Sequence, residues 1–471
     1  MTAKALKLAA ATLAMSCAAN AATVERVIAR QQWPWSTDVK VEYRLSGVTE
    51  ATDLVVEAFN GGEALPSAKL AAAIRGATHG ITKDGDGSFV IDPVKAFGTA
   101  EMSLANFKVR LTPQTSAANI GEVLYKIYDL KTGERQDVTR AMLLDGDMGE
   151  ISQDYSALGE SFGAAAGEFS TPLEDVLVWT GVTNGVKYRT THLVMRKIPA
   201  DGASYIMGTN AVQSLGKDKI SQVAHVVSFT NDYYMSVFEL TEGQFLTLIT
   251  NSSYSITSTM NYTNATDRYL RPYFGRIAVD VAPHVILSGG AGWPRDGHSI
   301  TSDKNVLKIL RNLTNDSGFD LPTEAVWEFA CRAGSTNDLY IGKNYSTARL
   351  NMLARWKNNK GNDANYNCTA AEGGTAIVGS YAPNAWGLYD MYGNLSEYCL
   401  DRYIENLSAY SGDDPWGPTS SEATKTYYFR IYRGGDYSVD QNYGHYSSYR
   451  NYGDVSNNRK GGVRLCLTVY Q

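Results

Sequence analysis

Four glycine- and aromatic-rich blocks, in fixed order along the second half of the chain, constrain its fold more than any other feature. They are Leu321-Pro322-Thr323-Glu324-Ala325-Val326-Trp327-Glu328-Phe329-Ala330-Cys331-Arg332-Ala333-Gly334, then Asn384-Ala385-Trp386-Gly387-Leu388-Tyr389-Asp390-Met391-Tyr392-Gly393-Asn394-Leu395-Ser396-Glu397-Tyr398, then Arg433-Gly434-Gly435-Asp436-Tyr437, and finally Gly462-Val463-Arg464-Leu465. Each couples a turn or a helix opening to large apolar side chains. Thr323 after Pro322 caps a helix, and Gly334 can end it in the left-handed conformation. Thr241 with Gln244 three residues on makes a capping box before another helix. Asp303 to Leu313 repeats apolar residues at helical spacing. The remaining chain, rich in Gly, Asn and Tyr, predicts irregular segments on short twisted sheets.

Together with Tyr205-Ile206-Met207-Gly208 as an opening strand, and Val237 to Phe245 as a first helix entry, the blocks resemble the signature series of formylglycine-generating (sulfatase-modifying factor) domains. The resemblance spans residues 199–471 and implies an α+β, C-type-lectin-like fold. In that family, copper held by two cysteines just beyond the Gly-Gly turn oxidises a sulfatase cysteine to formylglycine, and soft thiolates suit Cu(I). Here the corresponding segment, Asp436 to His445, contains no cysteine. A related branch uses non-haem iron on histidines, but the six histidines of this chain form no His-x-x-x-His pair. Copper or iron is therefore not expected, nor do His-Glu-x-x-His, Gly-x-Ser-x-Gly or phosphate-loop motifs occur. The resemblance does imply a structural calcium site: side chains of Asp390 and Glu397 with backbone carbonyls of Gly393 and Leu395. The plainer alternative is that Asp390 caps the turn and Glu397 pairs with an arginine.

Length and composition fill in the rest. A chain of 471 residues exceeds one ordinary domain, and three parts are expected. Lys4 and Lys7, an apolar run from Leu8 to Ala18 and the small-x-small pattern Ala19-Asn20-Ala21 read as a signal peptide over 1–21, so a secreted, periplasmic or cell-surface location is expected. No other run is long and apolar enough for a transmembrane segment. Val39, Val41, Tyr43 and Leu45 alternate with polar residues, as do Leu54, Val56 and Ala58, and Phe107, Val109 and Leu111, so residues 22–115 read as an all-β, immunoglobulin-like sandwich. Within it, Asp84-Gly85-Asp86-Gly87-Ser88 fails as a calcium loop, because Lys95 stands where a bidentate Glu is needed, and a tight turn is expected. Residues 116–198 read as a β-rich linker module, with Val123 to Tyr128 a strand and Thr183-Asn184-Gly185-Val186 a hairpin signal. Beyond the leader, Cys331, Cys368, Cys399 and Cys466 allow up to two disulfides.

A formal charge of −6 without a basic block argues against nucleic acid as a partner. Tyrosine is over-represented, 30 against 13 Phe, and such rings with a polar tip serve wet binding surfaces. Between Asp436 and Asn458, Tyr, Asn, Ser and Asp fill sixteen of twenty-three positions, the composition of a paratope. Tyr437, Tyr443, His445, Tyr446, Tyr449, Asn451 and Tyr452 are accordingly expected to contact a protein or glycan ligand. The same composition resembles the variable region of retroelement-diversified receptors. Three readings compete: a binding module, a copper-independent enzyme on a protein substrate, and a diversified receptor or structural cell-surface part.

Overall fold

In the computed structural model, residues 22–31, 38–60, 63–66, 70, 73–76, 78–93, 96, 107–116, 120–151, 177–209, 224–250, 267–273, 300, 303, 305–337, 339–340, 346–359, 374–403, 411–415, 429–439, 444–454 and 461–468 are described. The expected signal peptide and Cys368 lie outside them. The chain divides into two compact units, residues 1–119 and 120–471.

The described strands of the first unit form two sheets, while Leu70, Ala73, Pro93 and Ala96 are helical. Strand Val39–Ser46 sits between Thr23–Gln31 and Gly85–Ile91, and Ile74–Gly76 extends that sheet; Thr52–Asn60 pairs along its length with Phe107–Thr115 in a second sheet. The alternation has the expected effect: Val39, Val41, Tyr43 and Leu45 all point into one core shared with Leu54, Ala58 and Leu111 of the other sheet. Gly87 lies under the Tyr43 ring, where a Cβ would come within 2.3 Å of it. The aspartate-glycine run is not a tight turn but the start of a strand. Asp84 accepts from Val48 N–H, and Asp86 pairs with Arg26 and Arg44.

The second unit corrects the three-part division. Residues 120–198 are no linker module: Val123–Asp129 pairs with Arg135–Thr139 and with His192–Ile198, and the latter pairs with Tyr233–Ser236. Cys466–Thr468 and Phe319–Asp320 complete one six-stranded sheet. Both faces of this sheet are covered. Tyr128, Leu193 and Met195 join the main core, while Tyr125, Ile127 and Val194 join a second around Trp179 and Phe238. Separating the segment would bare both layers. The expected hairpin at 183–186 is instead two 3-10 turns, Thr180–Thr183 and Val186–Arg189, because Gly185 keeps φ at −94° and a two-residue hairpin turn needs positive φ.

The helices begin where their caps predict. Thr241 N–H donates to Gln244 Oε1 and Gln244 N–H to Thr241 Oγ1, both at 3.0 Å, ahead of Glu242–Thr250. The helix expected over 303–313 instead runs Val306–Thr314, capped by Asn305. Thr323 caps Glu324–Arg332, but Ala333, at φ 45°, rather than Gly334, makes the first left-handed step out of it. All nine residues of that last helix are buried, so its Glu324, Glu328 and Arg332 need partners inside the protein. Trp327, Trp386, Leu388 and Leu465 are buried as scaffold. The expected disulfides do not form among the described cysteines: Cys331, Cys399 and Cys466 are free, buried thiols. No helix among the described residues is long and apolar enough to cross a membrane.

Candidate functional site

The site is built on a four-stranded sheet, ordered Arg450–Asp454, Phe429–Arg433, Ser396–Arg402 and Gly461–Gly462. Phe429–Arg433 and Arg450–Asp454 are antiparallel, with Tyr432 opposite Asn451 and Arg433 opposite Arg450. The intervening segment returns over the second block. Gly393 N–H donates to Gly434 O at 2.7 Å, Tyr437 N–H to Asn394 O at 3.0 Å, and Lys357 N–H to Val439 O at 3.2 Å. Gly435 has φ +73°, and a Cβ there would meet Gly444 O at 2.4 Å, so the Gly-Gly turn leaves no room for a side chain.

This packing sorts the expected contact residues. Tyr437, Tyr449, Asn451 and Tyr452 are half-buried, each retaining exposed surface. His445 is fully buried and Tyr446 only 6 % exposed, which corrects their assignment to a solvent-facing surface. The segment folds inward at Gly444, placing the His445 imidazole 6.4 Å from the Trp356 ring and Tyr446 in the interior. Tyr443 lies outside the described residues. Tyr432, half-buried as well, joins the group although it precedes the polar segment; its place opposite Asn451 in a strand pair was the available signal. Neighbouring tyrosines brace two of the rings: Tyr452 lies 4.0 Å from Tyr403 and Tyr432 meets Tyr398 edge-on at 5.9 Å, while Asn451 Nδ2 donates to the Tyr449 hydroxyl at 3.0 Å. Burial raises the phenol pKa of Tyr432 and of Tyr449, so both present O–H donors at neutral pH.

Beneath the face runs a dense network of buried charge. Arg450 forks onto both oxygens of Glu324, at 2.7 and 2.9 Å. Arg433 binds Glu328 and lies 3.2 Å from Glu324, while Glu328 also accepts from Gly208 N–H and pairs with Arg332. Replacing one member would strand a buried charge, which costs about 3–5 kcal/mol.

Of the four positions expected to hold calcium, the Asp390 and Glu397 carboxyls are neighbours, together with Glu239. Glu397 accepts at both oxygens from Arg464, at 2.7–3.0 Å, and from Trp327 Nε1. Asp390 Oδ2 accepts from Gly379 N–H, its Oδ1 is buried without a hydrogen-bond partner, and burial pushes its pKa up to about 7. Glu239, which sequence reasoning missed, accepts from Asn394 Nδ2 and Leu395 N–H, and burial with Asp390 and Glu397 nearby holds its carboxyl well above the usual range. The orphaned Asp390 oxygen suits a cation; the guanidinium seated on Glu397 does not. The donor set therefore fits an arginine at Glu397 rather than a calcium ion. Among the described residues no group of three or more His, Cys, Asp or Glu is placed to hold a metal.

The three described thiols lie on separate elements. Cys331 is on a helix, whereas Cys399 and Cys466 are on different strands. Burial pushes Cys331 up to about 12 and the other two well above the usual thiol range, so none is a ready thiolate.

Short sheets, few helices and block-forming turns define a formylglycine-generating-enzyme-like fold for the C-terminal unit. The profile of the sulfatase-modifying factor enzyme 1-like domain matches residues 189–469, beginning earlier than the expected 199, and the chain belongs to that family. The formylglycine-generating enzyme of Mus musculus is 25% identical over 264 residues, covering 53% of this chain and 68% of that enzyme. The enzyme of the same name from Streptomyces coelicolor is 36% identical over 176 residues, covering 34% of this chain and 52% of its own length. Among solved structures, Treponema denticola variable protein 1 superposes with a TM-score of 0.43 at 19% identity, covering 59% of this chain and 96% of that one.

Proposed function

We propose that this chain is exported and that its C-terminal unit is a ligand-binding module for a protein or glycan, not a copper-dependent generator of formylglycine. The observation that carries the reading is the half-buried group of Tyr432, opposite Asn451 in the strand pair, and Tyr449, whose hydroxyl accepts from Asn451 Nδ2, with Tyr437 half-buried in the covering segment and Tyr452 on the other face of the strand, against Tyr403. Rings already braced by Tyr398 and Tyr403 lose little conformational entropy on contact and offer both apolar area and hydroxyls. The relatives named formylglycine-generating enzyme raise the rival of cysteine oxidation. Against it stands the stretch after Gly434-Gly435, which lacks the cysteine pair, and the three described thiols, which are buried and on separate elements.

Two measurements test this. Purified protein is screened on glycan and extracellular-protein arrays, and a hit is re-measured with Tyr437→Ser and Tyr449→Ser. Each substitution is expected to weaken binding at least about tenfold, as for an aromatic anchor. Incubation with Cu(I) and a sulfatase-motif cysteine peptide is expected to give no aldehyde by mass spectrometry. Stoichiometric aldehyde would overturn the proposal, as would binding that survives both tyrosine substitutions.

A further inference from the structure

We infer that Arg433 and Arg450 are positioning residues of the tyrosine face: they clamp both ends of its covering segment to the buried helix Glu324–Arg332 without touching the face's outer surface. The inference rests on the binding-module reading for its purpose, though not for its geometry. Both arginines are essentially inaccessible, at 0 and 2 % exposure, and stand opposite each other where the strand pair opens into the segment. Arg433 divides its guanidinium between two tasks. Nη2 donates to Glu328 and Nε lies 3.2 Å from Glu324 without a hydrogen bond, while Nη1 donates to the backbone carbonyls of Ser447 and Tyr449. Arg450 takes both oxygens of Glu324 in a bidentate pair.

The returning chain is thus held in part through its backbone carbonyls. Other anchors have the same character: Gly434 O, Tyr437 N–H and Val439 O each bond to backbone of other elements. A planar five-donor fork can serve two carboxylates and two carbonyls at once, and lysine cannot. Arg433→Lys keeps the charge beside Glu328 and gives up the carbonyl contacts. The position of Tyr449, and through it of Asn451, then loses its fixed reference.

The test is hydrogen–deuterium exchange on the full chain at a temperature well below unfolding. For Arg433→Lys, peptides covering residues 444–450 should exchange about tenfold or more faster, while those covering Tyr233–Ser236 and Glu324–Arg332 change less than about threefold. Should Arg433→Lys fail to fold, the paired replacement of Glu324→Gln with Arg450→Met removes one arm of the clamp without stranding a charge, and the same local pattern is expected. Uniform acceleration across the unit, or unchanged exchange at 444–450, overturns the inference. Failure of the wild type to bind any arrayed ligand defeats the binding-module reading while leaving this exchange result standing, so the two are separable.

Discussion

Replacing Arg464 with methionine probes the buried charge arrangement at its centre. The guanidinium is fully buried and donates to Glu397 and to the carbonyls of Ser236, Val237 and Tyr389. Methionine retains the apolar stem and removes every donor. Glu397 is then left in the interior with Glu239 and Asp390 as acidic neighbours, a loss of about 3–5 kcal/mol for a broken buried pair. Orphaned carbonyls add to it, at about 1 kcal/mol or more each where water does not reach them. At roughly 2–4 °C per kcal/mol in a unit of moderate size, the melting temperature should fall by on the order of 10 °C. Thermal unfolding followed by circular dichroism, in calcium and in EGTA, is the assay. Wild type and variant should each melt alike in the two buffers, and adding Glu397→Gln to the variant should recover part of the loss. The reasoning fails if the loss is below about 1 kcal/mol, or if calcium rescues Arg464→Met, since a cation would then be doing what the guanidinium is said to do.

Three further outcomes are expected. Asp390 has its carboxyl pushed up from an ordinary 3.8 to about 7 by burial, so the folded state holds a proton that the unfolded chain releases in this window. Stability should therefore decline as pH rises from about 4 through 7, and Asp390→Asn should flatten that slope; an unaltered slope in urea titrations across pH contradicts the assignment. Tyr446→Ala should cost about 3 kcal/mol as a large-to-small change in a packed interior, whereas Tyr437→Ser should cost distinctly less, both read from denaturant midpoints. Native protein treated with a thiol reagent should leave Cys331, Cys399 and Cys466 unmodified by peptide mapping, with all three labelled after denaturation; rapid native labelling of any one would contradict its burial.

What the sequence determined by itself is mostly local. The capping box at Thr241 and Gln244, the Thr323 cap and the alternation from Val39 to Leu45 are statements about residues within a few positions of one another, and each is found in the structure. The ordered blocks were legible too, because glycines and buried tryptophans at those spacings leave few ways to close the chain.

Tertiary structure decided what long-range partners decide. Glu397 reads as a calcium ligand from its own block, yet its oxygens go to Arg464, brought beside it from 67 residues away. Thr183 to Val186 reads as a hairpin, but packing around Trp179 and Tyr188 draws it into two helical turns. His445 and Tyr446 share the composition of Tyr437 and Tyr449, and composition carries no direction; the inward fold at Gly444 buries one pair and leaves the other partly in solvent. Residues 120–198 look self-contained because their strands alternate locally, but a strand has two edges and two faces. Tyr233–Ser236 supplies the missing edge and the C-terminal core the missing face, so the segment is stable only as part of the larger unit.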